Sequence, residues 1–142
     1  MLLRSAVLSD LSSIEALLRA SSLPTAGVAE HLEHFVVLVD AAHVIACGGI
    51  EYHGDFALIR SIAVASPCQG TGIGGAIVAR LLAECRTRAV RSIGLLTTTA
   101  EDYFASFGFV PVARKEVPGP LLASGQFRGV CPDSATAMLL VC

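Results

Sequence analysis

Several kinds of segment are missing from this chain of 142 residues. No apolar run reaches the roughly 18 residues of a membrane-spanning helix, although 54% of the residues are hydrophobic. The start, Met1-Leu2-Leu3-Arg4, has neither the basic segment nor the long apolar centre of a signal peptide. A cytoplasmic protein without a membrane partner is therefore expected. Basic residues are scarce: ten Lys and Arg against twelve Asp and Glu give a net charge of −2. Only Arg86, Arg88 and Arg91 cluster, which argues against nucleic acid as a partner. The cysteines stand at 47, 68, 85, 131 and 142, with no C-x-x-C pair. An odd, irregularly spaced set reads as reduced thiols. His31-x-x-His34 offers two ligands on one helix face but no third, so no metal is expected. Repeats, low-complexity tracts and linkers are also missing, and residues 1–142 are expected to form one domain. A chain of this length buries about two-thirds of its unfolded surface.

The patterns that are present alternate strands and helices. Leu2 to Val7 reads as a strand. Ser9 or Asp10 can cap a helix whose buried stripe is Leu11, Ile14, Leu17 and Leu18, with Ser12-x-x-Glu15 as a capping box. Ser21 to Thr25 breaks it, and a short helix over Val28 to His34 follows. Phe35 to Asp40, His43 to His53 and Phe56 to Ala65 read as three strands joined by tight turns at Ala41-Ala42 and Gly54-Asp55. Ile73, Ile77, Val78, Leu81, Leu82 and Cys85 form a helical stripe that runs to about Arg88. Ser92 to Thr97 is a strand. Glu101 to Phe107 is a short helix stopped by Gly108 at the position that accepts positive φ. Phe109 to Arg114 and Ala135 to Val141 are the last strands, separated by a turn with one helical turn near Pro118 to Gln126. Hairpins followed by a strand–helix–strand unit predict an α+β fold, a three-layer mixed sheet with helices on both faces.

The segment Arg60 to Gly75, RSIAVASPCQGTGIGG, carries the most chemistry. An apolar strand ends in a loop with glycines at 70, 72, 74 and 75, and an amphipathic helix starts at once. The first N–H groups of a helix have no intrahelical partner, and its dipole favours an anion there. Glycines let the backbone touch phosphate oxygens. Gly70-x-Gly72-x-x-Gly75 also fits the dinucleotide fingerprint, but Arg91 to Thr97 supplies no acidic residue at the end of the next strand. Too little chain follows for a second mononucleotide half.

Gln69-Gly70-Thr71-Gly72-Ile73-Gly74, between a strand and a long helix, resembles the acetyl-CoA pyrophosphate loop of the GNAT N-acetyltransferases. Phe104-x-x-x-Gly108-Phe109 is similar to the second signature of that family, and the likeness covers nearly the whole chain. Within it, Leu23 to Gly27, Leu95 to Ala100 and Phe127-Arg128-x-x-Cys131-Pro132-x-Ser134-Ala135 resemble the small acetyltransferases of arsenic-resistance operons. The last segment also resembles N-acetylglutamate synthases. The resemblance implies the GNAT fold and direct acetyl transfer from acetyl-CoA, as co-substrate, to the amine of a small anionic, amino-acid-like molecule. That molecule could carry an arsonate, arsinate or phosphinate group. It also implies a bulge in the strand before the loop, with the Ile62 N–H as oxyanion donor. Ile62, Ala63 and Val64 would line pantetheine, Gln69 to Gly75 (Gln69, Gly70, Thr71, Gly72, Ile73, Gly74, Gly75) the pyrophosphate, and Phe104 would also contact acetyl-CoA. Homodimerisation through the C-terminal strands is common in the family.

Strand alternation sorts the remaining residues. Leu58, Arg60, Ile62 and Val64 share a face, and a two-residue turn at Gly54-Asp55 places Glu51 opposite Leu58. Arg60 is read as a bidentate clamp for an anionic group on the substrate, and Glu51 as the general base, directly or through water. The plainer reading is an ion pair on a sheet. Thr97 and Arg128 are further substrate candidates, with Pro24, Thr25 and His31 near the acceptor side. The family often places a Tyr where this chain has Phe104. Tyr103 is one helical step of about 100° away, so water is the expected proton donor to the thiolate. Cys68 and Cys131 have no neighbouring base for a covalent role. An acetyl-CoA-binding sensor or subunit without turnover, and acetylation of protein or peptide amines, are the competing functions.

Overall fold

The computed structural model describes all residues, Met1–Cys142. The strands are β1 (Leu2–Ser5), β2 (Phe35–Asp40), β3 (His43–His53), β4 (Phe56–Val64), β5 (Ser92–Thr97), β6 (Val110–Val112) and β7 (Thr136–Val141). The α-helices are α1 (Leu11–Ala20), α2 (Ile73–Thr87), α3 (Glu101–Ala105) and α4 (Gly119–Leu122). One seven-stranded sheet runs in the order β1-β2-β3-β4-β5-β7-β6. The β4–β5 pair is parallel, as the intervening helix requires. The β1–β2, β2–β3, β5–β7 and β6–β7 pairs are antiparallel. This is the expected mixed, mostly antiparallel α+β sheet. By compactness the chain divides into Met1–Ile50 with Arg60–Glu84, and Glu51–Ile59 with Cys85–Cys142.

In the first unit, adjacent residues of β3 face opposite ways and show where the helices sit. Cys47 packs with Ile14 and Leu18 of α1, and with Val28, Phe35, Val37 and Ala63. A Cβ built on the next residue, Gly48, would meet Ile77 and Leu81 of α2. The two helices therefore cover opposite faces of this part of the sheet. Burying a side chain such as Ile14 or Leu18 contributes roughly 2 kcal/mol. Of the predicted α1 stripe, Ile14 and Leu18 are fully buried, and Leu11 and Leu17 are partly so. The helix starts at Leu11, which puts Ser12 inside the first turn, so the expected Ser12–Glu15 capping box does not form. Its entry is set by Asp10, whose carboxylate accepts the Val7 N–H at 2.8 Å and pairs with Arg4 at 2.7 Å. The Arg4 hydrogen bond holds the Asp10 carboxyl below its ordinary range. The short helix expected over Val28 to His34 is present as a 3-10 helix, Ala29–His34.

The second unit packs Leu58, Val117, Leu121 and Ala137 into one cluster, with Phe56, Leu96, Val112 and Phe127 around it. β4 pairs with β5 over Phe56–Leu58 against Ser92–Gly94, and β5 then pairs with β7 as far as Thr97. α3 ends at Ala105, sooner than expected, and Gly108 turns the chain at φ 100°. Phe109 is turned into the core and Arg114 opens a 3-10 turn, so β6 is shorter at both ends than its apolar pattern predicts. Residues 126–130 form a wide helical turn with Gly129 at φ 97°.

Candidate functional site

The candidate residues fall into two groups, and each is built within one unit. The first is the end of β4 and the loop behind it. Ser61 has φ 61°, a left-handed residue inside a strand. Such a residue marks a bulge and breaks the two-residue alternation. Ile62 lies on the side of α2, next to where a Gly48 Cβ would meet Ile77 and Leu81. Ala63 joins the α1-side cluster containing Val28, and Arg60 reaches Ala26, two residues from Val28. Arg60 and Ala63 thus reach one side although three positions apart. The expected common face of Arg60, Ile62 and Val64 does not survive the bulge.

Ser61 is held at two points. Its Oγ accepts from Arg60 Nε at 2.8 Å, and its carbonyl accepts from the Cys47 thiol at 3.4 Å. Cys47 is fully buried, and burial pushes its thiol pKa up to about 12, so it stays neutral and able to donate. Arg60 is only 5% exposed, and its Nη2 donates to the Ala26 carbonyl at 2.6 Å. The next residue, Gly27, has φ 83°, and a Cβ there would lie 2.7 Å from Arg60 Nη1. Glycine is required at that position for both reasons. Part of the guanidinium fork predicted to grip a substrate is therefore engaged by the protein's own groups.

Beyond Val64 the chain makes a 3-10 turn at Ser66–Cys68. Gln69 Nε2 donates to the Val64 carbonyl at 3.0 Å, and Thr71 Oγ1 to the Cys68 carbonyl at 2.6 Å. These bonds brace an exposed loop in which Gly70 and Gly72 have φ 79° and 84°. A Cβ on either would meet nothing within 4 Å, so their backbone faces open space. Ile73, Gly74 and Gly75 form the first turn of α2, and the Ala76 N–H donates back to the Gly72 carbonyl at 3.2 Å. Braced, open backbone at a helix N-terminus suits the oxygens of a pyrophosphate.

The second group surrounds Glu51, which is 2% exposed. Glu51 Oε1 accepts the Ser124 hydroxyl at 2.7 Å and lies 2.9 Å from His53 Nε2. Ser124 Oγ in turn accepts the Gln126 N–H at 3.1 Å, and Gln126 Oε1 accepts the Cys131 thiol at 3.1 Å. Thr97 Oγ1 accepts the Ala100 N–H at 3.1 Å, bracing the entry to α3. Phe104 is buried, edge-on to Phe109, while Tyr103 is 41% exposed, as one helical step predicts. Burial of part of its ring raises the Tyr103 pKa, which disfavours the phenolate. Arg128 is exposed, and its Nε reaches the Leu122 carbonyl at 3.5 Å.

Glu51 and Arg60 fall in different units. Residue patterns missed His53, Ser124 and Cys47. His53 was within reach, because it lies two residues from Glu51 on the same strand and shares its face. Ser124 is 73 residues from Glu51, and nothing in its local sequence signals the contact. Cys47 reads as ordinary strand core; its bond to Ser61 depends on the bulge.

Residues 31–111 match the acetyltransferase (GNAT) domain. Solved structures share the fold. The Rv2747 protein of Mycobacterium tuberculosis, in complex with CoA, superposes with a TM-score of 0.83 at 24% identity, over 100% of this chain and 99% of that one. N-acetylglutamate synthase from Neisseria gonorrhoeae, complexed with coenzyme A and N-acetyl-glutamate, gives 0.84 at 19% identity, over 99% of this chain but 34% of the synthase. The ribosomal-protein-S18-alanine N-acetyltransferase of Escherichia coli gives 0.75 at 20% identity, over 99% and 92%.

Proposed function

Because the chain belongs to the GNAT acetyltransferase family, we propose that it moves the acetyl group of acetyl-CoA directly to the amine of a small anionic, amino-acid-like substrate. The observation that carries this reading is the end of β4, where left-handed Ser61 precedes Ile62–Val64 and a braced glycine loop opens α2. Residues 1–142 act as one cytoplasmic acetyltransferase domain in this reading.

The residues divide the work as follows. Gly70, Gly72 and the first turn of α2, braced by Gln69 and Thr71, hold the pyrophosphate. Backbone of Ile62, Ala63 and Val64 holds pantetheine, and Phe104 completes the acetyl-CoA site. The Ile62 N–H donates to the thioester carbonyl oxygen as negative charge develops there. Glu51, fixed by Ser124 and His53, takes the proton from the substrate ammonium, directly or through a water. The freed amine forms the C–N bond, the C–S bond breaks, and CoA leaves as a thiolate that takes a proton from water. Arg60, held by Ser61 and Ala26, presents its charge to the anionic group of the substrate, with Thr97 and Arg128 as further contacts.

Support for the substrate class comes from Arg60 and from the Phe127–Ala135 segment, which resembles both arsenic-resistance acetyltransferases and glutamate acetyltransferases. Amino acids bearing an arsonate, arsinate or phosphinate group therefore belong in the test. Acetyl transfer is measured by mass spectrometry with glutamate, other amino acids, phosphinothricin, its arsenic analogue and a lysine peptide. Acetylation confined to amino acids with a second anionic group is expected. Acetylation of the peptide alone would reassign the protein to protein amines. Bound acetyl-CoA with no acceptor modified would point to a sensor or to a substrate class outside the panel. With the accepted substrate, Arg60→Met is expected to raise its KM at least tenfold, in line with the loss of a charged hydrogen bond, while KM for acetyl-CoA changes little. Equal rises in both constants would remove the clamp.

A further inference from the structure

Five non-glycine residues have positive φ: Ser22, Ala41, Ala42, Ser61 and Ala89. Four of them sit in turns between elements; Ser61 alone lies inside a strand. Strained backbone of this kind persists only where its surroundings over-determine it. At Ser61 they do. The hydroxyl is held by Arg60 Nε and the carbonyl by the Cys47 thiol, from the neighbouring strand. Arg60 is itself anchored at Ala26, with Gly27 packed against its other terminal nitrogen. The peptide whose plane these contacts fix is the one joining Ser61 to Ile62, and it carries the Ile62 N–H.

We propose that Ser61 is a positioning residue for acetyl transfer, whose hydroxyl and carbonyl, gripped by Arg60 and Cys47, aim the Ile62 amide at the thioester oxygen. The same guanidinium carries the constraint to the Ala26–Gly27 loop, so the direction of the oxyanion donor depends on residues that touch neither the acetyl group nor CoA. This assignment rests on the reading of Ile62 as the oxyanion donor. It adds that the donor's aim is set by three side chains rather than by strand geometry alone. Movement of a donor by a fraction of an ångström weakens its contact with the developing charge far more than with the ground-state carbonyl.

The test uses the full chain and acetyl-CoA labelled with carbon-13 at the thioester carbonyl. In the wild-type protein the bound carbonyl stretch is expected to move to lower frequency than in solution. Ser61→Gly is the informative variant, because glycine accepts the left-handed backbone and should fold, yet it loses the hydroxyl grip. Its carbonyl shift should shrink and its kcat fall about tenfold, with KM for acetyl-CoA within twofold. Cys47→Ala should act in the same direction to a smaller extent, and Gly27→Ala should do so by displacing Arg60. If the wild-type shift is present and Ser61→Gly and Cys47→Ala leave both it and kcat unchanged, the positioning role is wrong and the oxyanion assignment stands. If the wild-type carbonyl does not shift at all, both are wrong.

Discussion

At the end of β4 the proposed reaction uses backbone amides, and side chains are proposed to aim them. Around Glu51 the proposed reacting group is a side chain, and Ser124 and His53 hold it. The first region relies on one left-handed residue and two positive-φ glycines, the second on a buried carboxylate with a hydroxyl and an imidazole at one oxygen. The two should answer mutation differently. A backbone site tolerates changes of side chain that preserve φ and ψ, and fails when the conformation is lost. A buried carboxylate fails when its charge is lost, whatever the shape of the replacement.

Glu51→Gln tests the side-chain region most severely. Removing a general base typically lowers rate 10²–10⁴-fold, and kcat should fall by about that much with KM for acetyl-CoA unchanged. Ser124→Ala removes one hydrogen bond to the same oxygen, worth about 1.5–3 kcal/mol when one partner is charged. It leaves the charge in place, so a loss of only about tenfold is expected. A Glu51→Gln enzyme that keeps kcat within a few-fold would make water the base and reduce the network to structure.

The backbone region predicts the opposite division. Gly72→Val keeps every charge and adds a side chain into open space, but it asks a β-branched residue to hold φ near 84°. Left-handed backbone costs such a residue roughly 1–2 kcal/mol. The loop should relax away from its cradle shape, raising KM for acetyl-CoA about tenfold with little change in kcat at saturation. If kcat fell and KM did not, the glycine loop would not be the anion cradle.

How far each region was legible in the sequence follows from the same difference. The four glycines, their strand and their helix showed the loop, because positive φ and a helix N-terminus leave local marks. β2, β3 and β5 fell at their predicted bounds, since an apolar strand between turn residues is a local pattern too. Ser61 left no such mark. Serine in a strand reads as an ordinary alternating residue, and its contacts with Cys47 and Arg60 leave no local pattern. For that reason the predicted shared face of Arg60, Ile62 and Val64 was lost. Ser124 was hidden by distance along the chain. The 3-10 turn at Leu8–Asp10 was hidden because Asp10 bonds backward to Val7 and Arg4 instead of capping forward.

The hairpin turn at Ala41-Ala42 sharpens the comparison within one unit. Ala42 has φ 67°, close to the 61° of Ser61, but it sits in a two-residue turn between β2 and β3. The handedness there is the one a tight hairpin demands, normally met by Asn-Gly. Ala42→Gly relieves a left-handed strain of roughly 1–2 kcal/mol and adds about 0.4–1 kcal/mol of unfolded-chain freedom, so stability should rise by about 0.8 kcal/mol at the centre of these ranges and by about 1.6 kcal/mol at most. Nothing in the turn is assigned to catalysis, and kcat should not change. Ser61→Gly relieves a comparable strain, yet it should lower kcat, because there the strain is held in place by side chains for use. Thermal denaturation and kcat measured on both variants give the answer. Two variants that stabilise alike and differ in kcat would separate strain that closes a turn from strain that aims a donor. A matching pair, with kcat intact in both, would make Ser61 another turn-like residue that happens to lie in a strand.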